Sequence, residues 1–457
     1  MAEARPPRPS GGPPDPRPEA GAPGSVGARL VDFARTARPP EAALAAMRLS
    51  LFDWAACAIA GTGEPVAGVL RAQVAAEGGA AQASVTGLAG MQVPARAAAL
   101  ANGAISHALD YDDTHFAHVG HPSVAVIPAA LAVAERQGAD GAACLTAALV
   151  GAEASIRVGA WLGEPHAAAG FHTTATAGTF GAALAAGRLA GLDAEQLGHA
   201  LGVASTRASG LREQFGTMGK PLNAGLAAAN GVEAADLAAA GFRAARSGLD
   251  GPQGFGAATH GSAERRAVLG LGAQWQMERV SSKLHACCHG LHAMLEALSG
   301  LRLGPGTVDR VTVRTHPRWR AICDNPAPAT GLEAKFSYQL VAAMALAGRD
   351  TAALESFSDA ACTAPDLVAL RDKVDVVGDA GLPVTAAEVT VTATGGRVHA
   401  LRHDIAMPLQ PEARRARLEA KARALLGPDR AAALAAATLG PAPDLPALTA
   451  LLRAAPA

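Results

Sequence analysis

Aromatic side chains make up only 4% of this 457-residue chain. With so few large rings to fill gaps, a core must close by direct contact between small residues, and 51 glycines among long alanine runs supply them. Charge is also sparse, at 17% of residues with a formal net charge of −1. That excludes a global electrostatic pull on nucleic acid, although a local basic pocket for an acidic small molecule remains compatible with it. Six scattered cysteines, two of them adjacent (Cys287 and Cys288), form no disulfide framework. They fit a reducing, cytoplasmic compartment. A GxGxxG turn after a strand, a GxxxxGK[ST] loop, a GxSxG elbow and an internal repeat of fixed period are all missing, which removes the usual signals of nucleotide binding and serine hydrolysis. Residues 1–25 contain no apolar run and read as a Pro/Gly-rich disordered tail, an expectation against secretion. The uncharged stretch 166–187 is long enough to cross a bilayer, but Gly, Thr and His interrupt it, so a buried helix is expected there.

What is present divides in two. From 26 to 273 the pattern is helical throughout, with Ala/Leu segments ended by Gly and restarted by Pro, Asp or Ser. Pro39-Pro40 open one such segment, in which Ala46, Leu49, Phe52, Ala56 and Ile59 recur at helical spacing. From 274 to 407 β-branched residues alternate, in TVDRVTVRT, around Val374 and Val376, and in AAEVTVTATGGRVHA, with Gly395-Gly396 as a hairpin turn. Helical patterns at 291–301 and 337–347 lie between these strands. Residues 408–457 return to helix (412–426, then a short one after Pro446) and are expected to pack back on the first domain. The fold class is therefore mainly α: a large all-α domain and a smaller α+β domain.

Ionisable groups concentrate in 102–123, NGAISHALDYDDTHFAHVGHPS, where Asp110, Asp112, Asp113, Thr114, His115, His118 and His121 fall within twelve positions. If buried, each charge there must be paired or have its pKa moved. Either this is a solvated helix-to-loop transition capped by Asp112 or Asp113, or it is an active-site loop. Three other clusters favour the second reading. GFHTT places His172 at a helix entry, and GTMGKP fixes Lys220 between Gly and Pro beside the amides of a helix start, well placed to hold a carboxylate. KLHACCHGLH joins Lys283, Cys287, Cys288 and His292, but its spacing suits no common tetrahedral zinc site. A metal on His115, His118 and His121, completed by Asp110 and Asp113, is the better-spaced metal alternative.

Taken in order, NGAISHALDYDDTH with HPS, GFHTTATAGTFGAA, FGTMGKPLNAGLAAANGVEAA, KLHACCHGLHA and AKFSYQLVAAMAL resemble the MmgE/PrpD family over nearly all of residues 26–430. The resemblance implies a helical domain with an α+β lid, a homodimer, no metal or organic cofactor, and an active site between the domains. It carries catalytic roles onto Asp110, His121, His172, Lys220 and Lys283, and substrate binding onto Thr114, with Arg212, His292 and Tyr338 as further candidate contacts. The implied activity is that of a lyase or isomerase removing a proton beside a carboxylate of a small di- or tricarboxylate. A 2-methylcitrate dehydratase-like hydro-lyase comes first, with an iminodisuccinate-type epimerase or a cis-aconitate-type decarboxylase as alternatives. Family decarboxylases carry tyrosine where Leu340 aligns, whereas here the tyrosine is Tyr338, which counts against decarboxylation. In this chemistry Lys220 and Lys283 offset enediolate charge, His172 or Asp110 is the base, and His121 either protonates a leaving hydroxyl in a dehydratase or returns a proton from the opposite face in an epimerase. Neither Cys287 nor Cys288 is needed as a nucleophile. A metal-dependent hydrolase and a non-enzymatic helical scaffold are the rival classes.

Overall fold

The computed structural model describes residues 24–454, Pro408 aside. Helices dominate it. Glu41–Ala60 starts directly after Pro39-Pro40, with Pro40 at the N-cap, where its missing amide leaves no donor unpaired. Its buried residues, Phe52, Trp54 and Ile59 among them, run around the whole circumference, as expected of a helix enclosed by others. The stretches Glu41–Gly63 and Gly141–Ala168 are long and apolar enough to cross a membrane, yet 78% and 83% of their apolar windows are buried inside the protein. The 166–187 stretch supplies most of the helix Thr173–Leu189, whose residues Thr173–Gly187 are all buried.

Small residues set the helix spacing, as the composition requires. Where Ala95–His107 crosses Gly219–Ala239, a Cβ on Gly103 would lie 2.9 Å from the Gly225 Cα and 3.2 Å from the Ala224 carbonyl oxygen. No side chain fits there, and the two backbones touch. The contact fixes the end of one helix, at His107, against the start of the other, at Lys220.

A short antiparallel pair, β1 (Ala83–Ser84) with β2 (Gln92–Val93), lies within the helical part. The main sheet holds β3 (Val308–Thr315), β4 (Val374–Gly378), β5 (Ala386–Ala393) and β6 (Val398–Asp404) in the order β4-β3-β5-β6. β3 pairs parallel with β4 and antiparallel with β5, placing Val311 opposite Val374 and Val391. Gly395 and Gly396, with φ of 91° and 84°, turn β5 back into β6 in the expected hairpin. The alternating valines Val311, Val313, Val389 and Val391 are fully buried against Tyr338–Leu346 in a second hydrophobic core. The expected helix at 291–301 is shorter, His292–Ala297, because the chain leaves the helix before Gly300, which has φ 84°. A helix at Pro428–Thr438 follows Pro411–Leu426 and was not anticipated; Pro428 sits at its first turn, where the missing amide leaves no helix bond unmade.

The C-terminal helices return to the first core, where Leu418, Ala422, Leu434 and Leu448 pack with residues of Glu41–Ala60. A buried ion pair stitches them together: Lys421 Nζ lies 2.6 Å from Asp53 Oδ1, with 1% and 2% of the two side chains exposed. Burial pushes the Asp53 carboxyl up and opposes the Lys421 charge as well. The ammonium is nevertheless the better defined partner and is held above its ordinary pKa. Besides Asp53, it donates to the Tyr111 carbonyl at 2.6 Å and sits 3.9 Å over the Tyr111 ring. Replacing Lys421 with Met strands a buried carboxylate and is expected to cost about 3–5 kcal/mol, read as a fall in Tm; adding Asp53→Leu should restore part of it. Equal Tm values for Lys421→Met and the wild type would contradict this.

Candidate active site

The chemistry-rich loop begins where Ala95–His107 ends. Asp110 adopts φ 50°, a left-handed conformation that Asp tolerates better than most residues, with its amide bonded to the His107 carbonyl at 3.0 Å. This bend presents the Asp110 carboxylate to three partners at once. Its Oδ1 lies 2.6 Å from Lys220 Nζ, 3.0 Å from Lys283 Nζ and 3.3 Å from His121 Nε2. Lys283 also donates to the Asp110 backbone carbonyl at 2.5 Å. It arrives there because Thr114 and Ser281 exchange backbone hydrogen bonds, each 2.8 Å, which draws the inter-domain segment against the loop. Asp112, fully buried, bridges two imidazoles: Oδ1 to His107 Nδ1 at 2.8 Å and Oδ2 to His121 Nδ1 at 2.9 Å. Asp113 turns away and accepts from Ser123 Oγ at 2.6 Å.

These contacts sort the charges. Burial pushes the Asp110 carboxyl up, but Lys220, Lys283 and His121 outweigh it and hold it well below the usual carboxylate range. Asp112 is held equally low, against burial, by His107 and His121. Burial opposes protonation of His121, yet the Asp112 and Asp110 carboxylates raise its pKa above the ordinary value. Lys283 is likewise raised by Asp110 and Asp112 in spite of burial. His172 goes the other way, since burial and then the nearby His107 and Lys220 charges press its pKa well down. At neutral pH the cluster therefore sets a protonated His121 near a neutral His172.

His172 caps Thr173–Leu189, receives the Asn223 amide at its Nδ1 (3.3 Å), and stacks on His107 with ring centroids 6.2 Å apart. A cleft of about 300 Å³ opens over the cluster. His107, Asp110, Met218 and Lys220 line its helical wall, and Cys288, Lys335 and Phe336 the wall from the strand-bearing part. His121, His172 and Lys283 lie just behind this lining, all buried. The five expected catalytic residues, from four separate segments, thus gather in one cluster, of which Asp110 and Lys220 line the cleft.

The expected substrate contacts do not. Thr114 Oγ1 is bonded to His289 Nδ1 at 3.0 Å. His292 lines a different cavity, of about 250 Å³, together with Ser281, His289 and Arg414. Arg212 is exposed, donates to the Ala167 carbonyl at 3.0 Å and lies over Phe215. Tyr338 is fully buried, its hydroxyl donating to the Gly290 carbonyl at 2.6 Å and bonded to Thr315 Oγ1 at 2.9 Å; Leu340 is buried in the same core. Neither Tyr338 nor Leu340 lines the cleft, so the register of that tyrosine says nothing about the reacting atoms, and the argument against decarboxylation built on it falls. The alternative metal triad of His115, His118 and His121 does not come together among the described residues. His115 bonds the Gln276 carbonyl at 3.2 Å, and His118 packs beside Gly159. The groups that do come within 4.8 Å of one another are His107, Asp110, Asp112 and His121. Of these, Asp110 already binds two ammonium groups, which a dication would have to displace. All six cysteines are free; Cys287 is buried with its thiol pKa pushed up, as an inert thiol requires.

A helical body joined to an α+β part, with a lysine-clamped carboxylate at their junction, defines the class of protein. The MmgE/PrpD N-terminal domain profile matches residues 28–267 and the MmgE/PrpD C-terminal domain profile residues 285–437, and the chain belongs to this family. Among curated relatives, a protein named cis-aconitate decarboxylase from Aspergillus terreus is 35% identical over 221 residues, 45% of either chain. The human protein of the same name is 30% identical over 310 residues, 64% of this chain and 63% of its own. A cis-aconitate decarboxylase-like protein, oryM, of Aspergillus oryzae is 33% identical over 224 residues. The chain thus matches less than half the length of the Aspergillus terreus relative.

His107 is the site residue that sequence reasoning passed over. Its signal was a histidine ending an apolar helix five positions before Asp112, and its buried Nε2 has no partner among the described residues. The pH dependence of the Asp112 bridge follows from the shifts. Asp112, depressed, contributes stability above about pH 3.9 that is lost as pH falls through its lower folded value. His121, raised, contributes stability in full below about pH 6.5 that is lost as pH rises through its higher folded value. Asp112→Asn should therefore cost at least about 2 kcal/mol between these limits and less beyond them, seen in Tm measured across pH. A pH-independent loss would show that packing alone is affected.

Proposed function

We propose that the chain is a lyase acting on a small tricarboxylate, developing negative charge on a carbon beside a carboxylate held by Lys220 and Lys283. The observation that carries this reading is the Asp110 cluster: two ammonium groups aimed at one carboxylate, a protonated His121 in contact with it, and a neutral His172 behind. Such a site stabilises an enediolate with fixed charges and needs no metal to do so. Decarboxylation is the first reading, supported by the names of the relatives and by the loss of the Leu340 objection. The C–C bond to one carboxylate breaks and CO₂ leaves. The electron pair stays on carbon and spreads into a neighbouring carboxylate that the lysines neutralise. His121 then delivers its proton to that carbon.

Dehydration of a 2-methylcitrate-like acid is the second reading, favoured by the neutral His172, which can take a proton while His121 protonates the departing hydroxyl. Epimerisation would use the same proton abstraction without a leaving group. The reading extends to a homodimer in a reducing, cytoplasmic setting, the setting supported by the free thiols.

Incubation in D₂O with cis-aconitate, 2-methylcitrate, citrate and iminodisuccinate, followed by NMR, distinguishes these outcomes. The first reading expects CO₂ with one deuterium in the product. An alkene formed from a hydroxy acid without CO₂ supports the second, and inertness towards all four acids contradicts the proposal. Lys220→Ala and Lys283→Ala should each lower kcat by about 10²-fold or more.

A further inference from the structure

Two of the three lysines at this cleft are committed to Asp110; the third is not. Lys335 caps the C-terminus of the short helix Gly331–Ala334, where its carbonyl accepts from the Cys288 amide at 3.0 Å. This bond ties it to the segment that carries Lys283. Its side chain is partly buried and lines the cleft from the side opposite Lys220. Among the described residues no hydrogen-bond or ion-pair partner is found for the Lys335 ammonium. Glu64 is the other carboxylate of the lining, and no ion pair joins it to Lys335.

The charges therefore fall into two groups. On one side, Lys220 and Lys283 share the single carboxylate of Asp110 and leave one positive charge in excess. On the other side stands the Lys335 ammonium, with no counter-ion among the described residues. A substrate with one carboxylate satisfies the first group and leaves the second empty. An acid with carboxylates at both ends satisfies both.

Resting on the lyase reading above, we propose that Lys335 is a specificity-determining residue that binds the substrate carboxylate remote from the reacting carbon, so that the cleft selects di- and tricarboxylates over monocarboxylates. Lys335 anchors the far end, while the Asp110-bound lysines receive the carboxylate that gains charge. Binding at the remote end is the same in ground and transition states, so it sets KM rather than kcat.

The test measures binding separately from turnover. Calorimetry with propane-1,2,3-tricarboxylate, which has no alkene or hydroxyl to react, is run on the full-length wild type, Lys335→Gln and Lys335→Arg, with Tm checked for each. Lys335→Gln should weaken Kd about tenfold or more, and Lys335→Arg should recover much of the loss. With any acid that is turned over, Lys335→Gln should raise KM to a similar extent and leave kcat within about twofold, in contrast to Lys220→Ala. Crotonate, with one carboxylate, should bind all three proteins alike. A Kd for the tricarboxylate that is unchanged in Lys335→Gln overturns the assignment, as does a wild type that does not bind it. Tight, Lys335-dependent binding without turnover of any tested acid would sustain the assignment and overturn only the lyase reading.

Discussion

One carboxylate, that of Asp110, organises this protein. It is shared by Lys220 from the helical body, Lys283 from the inter-domain segment and His121 from its own loop. Two ammonium groups this close repel each other, and a carboxylate between them is the least costly way to keep both charged in a partly buried place. The arrangement explains why the loop bends through a left-handed residue at Asp110 and why Thr114 and Ser281 pair their backbones. It also gives the site its chemistry. A carboxylate already stabilised there marks the place where a substrate carboxylate, and the charge it gains, would be stabilised too.

The wider packing serves this cluster. The Gly103–Gly225 contact sets the distance between the helix that ends at His107 and the helix that begins at Gly219. The Lys421–Asp53 pair with Tyr111 anchors the C-terminal helices beneath the same loop, one residue from Asp110. Substitutions at these remote positions would move the Asp110 cluster without touching it, and the geometry of such a cluster is costly to disturb by even an ångström.

The larger features were legible in the sequence. Alanine and glycine on every helix face, the valine alternation at Val311, Val313, Val389 and Val391, and the Gly395-Gly396 turn each express a single local constraint, and each led to the right element. Motif order brought Asp110, His121, His172, Lys220 and Lys283 together, because each sits at a helix start or loop where the local signal is strong. The residues that the structure places away from the cleft are those whose position depends on side-chain direction. Tyr338 and His292 lie in the right segments, but their helices turn them into the second core and the second cavity. Arg212 lies over the same Phe215 ring as Lys220 but donates to the Ala167 carbonyl and does not line the cleft. His107 was passed over, and Lys335 was weighed and set behind Lys220 and Lys283, because nothing local distinguishes a lysine lining a cleft from one in solvent. The helix Pro428–Thr438 went unread because a proline at a first turn and a proline between helices look alike until the helix behind it is seen.

The central claim is that the Asp110-bound lysines are the receptor for a substrate carboxylate. A crystal structure of the full chain with bound propane-1,2,3-tricarboxylate tests it most directly. The account predicts a ligand carboxylate within hydrogen-bonding distance of both Lys220 Nζ and Lys283 Nζ, sharing them with Asp110 or displacing it. A ligand bound only in the cavity lined by His292 and Arg414, with the Asp110 cluster closed and unchanged, would contradict it.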